Sequence, residues 1–164
     1  MNIKSAEIRI SLYSPQNFET CREVFLSNTP KFFGKHEVKD FEYFLNNQVD
    51  ENFWCLFYNE RVVACGGFYL KNEDTGRLCY GIVHNDFHKR GIGRHLAYFR
   101  LKKLVQISTV KKIEIGTSQF NPAFFNKFGF ELIESIEDGY GKGINRCNMQ
   151  LNLTNTLRRK IINY

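Results

Sequence analysis

Between Phe53 and Val83 three strand-like runs follow one another with no segment long enough for a helix between them. FWCLFY and RVVACGGFYL flank Asn59-Glu60, which reads as a hairpin turn, and RLCYGIV follows a polar turn at residues 72–76. Strands joined by turns this short must pair antiparallel. That argues against a doubly wound parallel sheet, in which strand and helix alternate, and for an α+β fold around this meander.

The flanking segments complete the order. Ile8, Ile10 and Leu12 alternate with Arg9 and Ser11 as a half-buried strand, which Ser14-Pro15 ends. Phe18, Cys21, Val24 and Phe25 recur at helical spacing, as do Val38, Phe41, Phe44, Leu45 and Val49, so two helices joined by an aromatic loop are expected. After RLCYGIV comes a glycine-punctuated loop, then an amphipathic helix over 91–107 with Ala97, Leu101, Leu104 and Val105 on its apolar face. KIEIG (112–116) is a short strand. Asn121-Pro122 supplies a helix N-cap and first-turn proline, and Gly129 ends that helix. A strand begins at 130–133, a glycine-rich loop spans 138–143, and 146–153 alternates as a last strand. The tail from Thr154 is open between a short helix and a frayed end.

At 164 residues the chain has the size of one domain, expected over 1–164 with its core at about 8–153. No apolar run approaches the ~18 residues of a membrane helix, and the N-terminus has no signal-peptide pattern, so a cytoplasmic protein without membrane partners is expected. The five cysteines are odd in number, lack CxxC spacing and stand among apolar residues, which points to buried thiols rather than disulfides. The four histidines form no ligand pattern with them, so no metal is expected.

The net charge of +6 is unevenly placed. Residues 88–112 carry eight Lys and Arg and no acid, more than the whole chain's net charge. Nucleic acid is one reading of such a stretch. Arg90, Arg94, Arg100 and Lys103, however, fall partly on one helix's outer face, where a charge run is solvated, and no nucleic-acid partner is expected. The same stretch opens with His88, Lys89, Arg90, Gly91, Ile92, Gly93 and Arg94, joining a strand to a helix. Residues without Cβ let successive N–H groups turn into one concavity, and the helix start adds partial positive charge, a combination suited to phosphate or pyrophosphate. A Walker loop is absent, and a dinucleotide fingerprint lacks its third glycine where His95 or Leu96 stands.

Val83, Asn85, His88, Gly91 and Gly93 resemble the strand-loop-helix signature V-x-P-x-x-[QR]-x-x-G-x-G/A of the GNAT superfamily of acyl-CoA N-acyltransferases, with Arg90 in the usual basic place. Asn121 to Phe130 resembles that family's second signature, an N-capped helix ending in K-x-G-F. TSQFNPAFFNKFGF followed by DGYGKG is similar to small bacterial members, and the order of elements fits from Ile8 to Leu153. The resemblance departs at His88 and Asn85, where the family has Gln or Arg and Pro; neither change removes backbone N–H groups.

The resemblance implies a central mixed, mostly antiparallel twisted sheet of about seven strands flanked by about four helices. It also implies that RLCYGIV and KIEIG run parallel and splay apart around acetyl-CoA. The pantetheine arm would pair with backbone groups of Ile82 and Val83, and the pyrophosphate would sit on the amides from His88 or Lys89 to Arg94. Ser118, Asn121 and Phe124 would meet the cofactor from its other side. The implied activity is acetyl transfer to a primary amine, with a backbone N–H near Val83 holding the oxyanion. Glu114 is a candidate base, or else a solvent-facing strand residue; Gln119, like Ser118, is a contact or a capping residue. Phe125 stands where many members have a proton-donating Tyr, leaving Tyr140 or Tyr80 as candidate acids and a non-catalytic acyl-CoA sensor as the alternative function. Phe32, Phe33, Phe41 and Tyr43, near Glu37, Asp40 and Glu42, would line the acceptor pocket with 138–142, or else belong to the core. The family is often dimeric, and exposed rings would permit a homodimer.

Overall fold

The computed structural model describes residues 3–164. Its strands and helices run β1 (Ile8–Leu12), α1 (Phe18–Leu26), α2 (Glu37–Asn47), β2 (Phe53–Tyr58), β3 (Arg61–Asn72), β4 (Thr75–Val83), α3 (Ile92–Val105), β5 (Lys112–Ser118), α4 (Pro122–Asn126), β6 (Glu131–Ile136), β7 (Arg146–Asn152) and α5 (Asn155–Ile162). The strands form one sheet in the order β1-β2-β3-β4-β5-β7-β6. The β1–β2, β2–β3, β5–β7 and β6–β7 ladders are antiparallel and β4–β5 is parallel, so the sheet is mixed and mostly antiparallel. Among the described residues there are five α-helices rather than about four, because the tail forms α5. Among the described residues no helix is long and apolar enough to cross a membrane.

The chain divides into two compact units, one made of residues up to Gly67 with Tyr80–Ala97, the other of Phe68–Cys79 with Tyr98–Tyr164. In the first, the hairpin turn holds Asn59 and Glu60 at φ 48° and 58°, with Tyr58 directly opposite Arg61. Two successive left-handed residues are what a right-twisted two-residue hairpin requires, and here it is built without glycine. β2 is buried on both faces, which explains its unbroken apolar run. On one face Cys55 and Phe57 meet Cys21, Val24 and Phe25 of α1 and Phe41 and Leu45 of α2. On the other, Leu56 meets Val63, Ala64 and the first turns of α3 through Ile92 and Leu96. Phe41 is fully buried and stacks 4.8 Å from Phe25, which also touches Phe33 at 4.6 Å. Of the aromatic set expected to line an acceptor pocket or the core, Phe41 is core and Phe33 packs on it, Phe32 is half-buried against His88 and Tyr43 is exposed, while Glu42 is paired to Arg22. Cys21 and Cys55 lie Sγ to Sγ at 3.4 Å; that contact and burial push the Cys55 thiol well above its ordinary pKa, leaving it inert.

In the second unit, Ile113, Ile115 and Thr117 of β5 register with Leu151, Met149 and Cys147 of β7 on the buried face. β3 and β4 run longer than their apolar residues indicated and turn at 73–74. Gly76 is dictated by close approach, since a Cβ there would lie 2.4 Å from Leu104 of α3. Arg100 corrects the sequence reading: it is 2% exposed, its Nη1 reaching the Cys79 carbonyl at 3.4 Å, and it contributes no solvated charge. The tail is ordered by Thr154, whose Oγ1 accepts from the Leu157 amide, and by Arg158, which donates to the carbonyls of Val105 and Val110.

Helix α4 ends in a local lock. Gly129 takes φ 94°, its amide bonds Asn126 O at 3.0 Å, and the Phe130 amide reaches back to Phe125 O at 3.3 Å. This pair of bonds is the Schellman closure, and its usual apolar contact is the Phe125–Phe130 ring pair at 5.6 Å. Phe125 also touches Phe124 and Phe128 and is 7% exposed. Phe125→Ala should therefore lower unfolding free energy by about 3–5 kcal/mol in urea denaturation; a loss under ~1 kcal/mol would mean that the ring does not anchor α4.

Candidate active site

β4 ends in a clamp. Val83 O accepts from Asn28 Nδ2 at 2.8 Å and lies 2.9 Å from His88 Nε2, while Asn28, 4% exposed, also donates to Val24 O. Ser27 Oγ accepts from the Asn85 amide at 3.0 Å, so residues just past α1 hold both sides of the strand's last turn. The His84 amide donates to Val63 O on β3. Because strand amides alternate in direction, the Val83 N–H faces the edge away from β3. With both lone pairs of its carbonyl engaged, that N–H is the group through which Val83 can meet a ligand. Ile82, by contrast, turns its side chain into the core. Nothing in Ser27-Asn28-Thr29-Pro30 marks Asn28 in sequence, since its partner is 55 residues away.

Two further features shape this end. Tyr80 takes φ 42° inside β4, a costly conformation for an aromatic residue, and its ring rests on Phe41 and Phe44 at 5.0 and 4.5 Å. His84 Nδ1 accepts from the Asp86 amide at 3.3 Å. Burial, with the charge of Arg61 beside it, lowers its pKa, in keeping with an acceptor nitrogen.

From His88 the backbone coils toward α3. Lys89 and Gly91 are left-handed, at φ 59° and 87°. Alternation of hand along successive residues gathers N–H groups into an anion-binding nest. At Gly91 a Cβ would meet only Ile3 O, at 3.9 Å, so it is the dihedral and not crowding that calls for glycine. The amides of Arg94 and His95 both bond Gly91 O, opening α3, and the fully buried Ile92 anchors the first turn. A helix start has N–H groups without intrahelical acceptors and a partial positive charge. Lys89, Arg90 and Arg94 are exposed around it, and the first turn holds no acid. The expected cofactor residues from Val83 to Arg94 thus form one continuous cationic cradle in the first unit.

The other predicted residues lie in the second unit. Asn121, at the N-cap of α4, points its Nδ2 toward Thr117 Oγ1 and Ser118 Oγ at 3.1 and 3.4 Å rather than capping the helix. Phe124 packs on Phe125 and Phe128. Gln119 bridges the 138–145 loop, donating to Gly143 O and accepting from the Asn145 amide. Tyr140 Oη lies 2.7 Å from where Gly116 would carry a Cβ.

The sequence profile of the acetyltransferase (GNAT) family matches residues 18–130, from the start of α1 to the end of the α4 lock. The chain belongs to the GNAT acetyltransferase family. Among solved structures, it resembles Ard1 from Thermoplasma volcanium (TM-score 0.73, 17% identity, covering 90% of this chain and 99% of that one). It also resembles the ribosomal-protein-S18-alanine N-acetyltransferase of Escherichia coli (0.72, 17%, covering 90% and 94%). A GNAT family acetyltransferase from Elizabethkingia anophelis, solved with acetyl-CoA bound, matches at 0.66 and 16%, covering 92% and 100%. Identities this low establish the fold alone. No curated protein sequence matches the chain.

For a GNAT chain, the environment of Glu114 is informative. Its carboxylate meets Lys71 Nζ at 2.9 Å, Arg77 Nη1 at 3.2 Å and Lys112 Nζ at 4.0 Å. Burial would raise its pKa, but the Lys71 hydrogen bond and the three positive charges outweigh burial and hold it below the usual glutamate range. A carboxylate so stabilised is a poor proton acceptor, which counts against the base role. The sign of the linkage is that of a depressed acid: its stabilisation is complete above the unfolded-state pKa and is lost as pH falls through the folded one. Glu114→Gln should make unfolding free energy less steeply dependent on pH below about 4.5, the ordinary glutamate value. Superimposable acid limbs in urea titrations would show that the cluster contributes nothing.

Proposed function

We propose that this chain transfers the acetyl group of acetyl-CoA to an amine. What carries the reading is the end of β4 and its continuation: an outward Val83 amide, then a nest and a helix start ringed by Lys89, Arg90 and Arg94. A ligand that fits needs an amide-bearing arm to pair with a strand edge, attached to a diphosphate for the cradle. CoA has both. Family membership and the acetyltransferases of like fold support the same choice. Five cysteines without disulfides support a reducing compartment, the cytoplasm.

In this reading the lone pair of a neutral amine attacks the thioester carbonyl carbon and forms the C–N bond. The Val83 N–H donates a hydrogen bond to the developing oxyanion. The C–S bond then breaks, the pair leaves with sulfur, and the proton given up by nitrogen passes through water to the thiolate. Phe125, occupied in the α4 lock, takes no part in that transfer. A thiol of pKa near ~8.5 leaves as its anion without help from a residue of α4. Since Glu114 is clamped by cations, the amine's own ionisation governs the rate. For an amine of pKa near ~10, kcat/KM should rise about tenfold per pH unit between about pH 6 and 8. A plateau beginning near neutrality would reveal an enzyme base and overturn this mechanism.

Binding is tested apart from turnover by thermal shift. Acetyl-CoA at ~100 times its Kd should add about 2.7 kcal/mol of stability, and a Lys89→Ala/Arg90→Ala/Arg94→Ala variant should need at least about tenfold more ligand for the same shift. Equal stabilisation by pantetheine alone would remove the cradle from the reading. Stabilisation by acetyl-CoA with no thiol release across an amine panel would favour the acyl-CoA-binding sensor.

A further inference from the structure

In the first unit, the end of β1 and the end of α2 enclose a cleft of about 410 Å3, within the ~300–1,000 Å3 range of pockets that hold a small ligand. Leu12 and Tyr13 line it from β1, and Leu45, Val49, Asp50 and Glu51 from α2 and the turn after it. Its floor continues the core, since Leu45 is 4% exposed and Tyr13 and Val49 pack half-buried against the same cluster. Leu12 is 52% exposed, so apolar surface runs from that floor out to solvent. None of the residues lining the cleft belongs to β4 or to the cationic cradle, and β2 and β3 stand between β1 and β4 in the sheet.

The charge around this cleft is one-sided. A helix end presents carbonyl oxygens without intrahelical donors and a partial negative charge, and here α2 ends. Its last turn holds no basic residue to answer that charge. Asp50 and Glu51 follow instead, both exposed, and among the described residues neither forms an ion pair. Asp50 Oδ1 accepts from the Asn52 amide at 2.7 Å, which leaves Oδ2 for a further donor. A chain of net charge +6 thus keeps an apolar-floored cleft whose rim is negative.

We infer that this cleft is a binding site for a small organic ammonium ion, its apolar body against Leu12, Tyr13, Leu45 and Val49 and its charged head at the rim beside Asp50, Glu51 and the end of α2. An anion is repelled there, and a neutral apolar molecule gains only the floor. The head stays partly hydrated at the rim, so it escapes the desolvation cost of a buried ion. A small molecule suits the volume, whereas a stably docked protein needs a surface of about 800 Å2 per partner. The site goes beyond acetyl transfer and does not depend on it.

The test uses phenethyltrimethylammonium, whose quaternary nitrogen has no lone pair and cannot be acetylated, so binding is read apart from turnover. The readout is the methyl resonances of Leu12 and Val49 in the full-length protein carrying 13C at its Leu and Val methyls, each assigned by its loss in Leu12→Met or Val49→Ile. The cation should move both saturably, while 2-phenylethanol and 3-phenylpropanoate, with the same ring and a neutral or negative head, should bind at least about threefold more weakly. Asp50→Asn with Glu51→Gln alters only exposed side chains and keeps an acceptor for the Asn52 amide. That pair of changes should weaken the cation about threefold to thirtyfold and leave the alcohol where it was. No movement by the cation, equal affinity for the three probes, or indifference to the double substitution would overturn the site. Tighter binding of the lysine peptide acetyl-Gly-Lys-Gly-amide than of the aromatic cation would assign the cleft to a protein side chain and overturn the small-molecule occupant.

Discussion

The proposed site hangs on one carbonyl. Val83 O is the acceptor at which β4 stops being a sheet strand, and it is met by a buried amide from the end of α1 and by the imidazole of His88. Satisfying it fixes the Val83–His84 peptide, whose N–H bonds Val63 O on β3, and the alternation of the strand sends the Val83 N–H to the opposite edge. Without that clamp the strand end would fray, as unsupported strand termini do, and the loop that follows would have no fixed origin. His88 is instructive because it belongs to the very loop that the clamp positions. The family pattern has a longer polar side chain at this position, but an imidazole that can donate from Nε2 serves the carbonyl at 2.9 Å.

Strain is concentrated beside the same peptide. Tyr80 and Lys89 are both non-glycine residues held left-handed, one before and one after the clamp. Each costs on the order of 1 kcal/mol or more, and the surroundings over-determine both. The Tyr80 ring is held by two phenylalanines of α2, and the backbone around Lys89 by the buried Ile92 and by the Ile3 amide on Arg90 O. The aromatic residues of α2 therefore act on the cradle from a distance, through packing. Phe41, which the sequence left open between an acceptor pocket and the core, is one of these supports.

How far the sequence revealed these features depends on the range of the interaction concerned. The end of α4 was readable in Gly129 because a Schellman closure is made within six residues, and the turn before α3 was readable in Gly91 and Gly93 because its backbone conformation is local too. Strand runs were readable from their period, although β3 and β4 extend past their apolar residues because polar residues can also join a ladder. Asn28 and Arg100 were not readable. An asparagine after a helix and an arginine on a basic helix look ordinary, and each is made distinctive by partners far along the chain.

Phe125 shows how a change at one position propagates into chemistry. A tyrosine at that point of α4 would add a hydroxyl to a ring packed on Phe124, Phe128 and Phe130, and a hydroxyl buried among them would need a partner. Phenylalanine avoids that penalty and tightens the lock that ends the helix, so stability and acid catalysis compete for the same ring. Once the ring is apolar, an enzyme of this design must rely on a leaving group that needs no acid there, and a thiol is one. Glu114 is subject to a comparable trade: the three cations that hold its charge in the sheet face also remove its basicity. The candidate base and the ring at the family's usual acid position are thus both drawn into structure, and positioning at the Val83 amide is what the proposed mechanism asks of the fold.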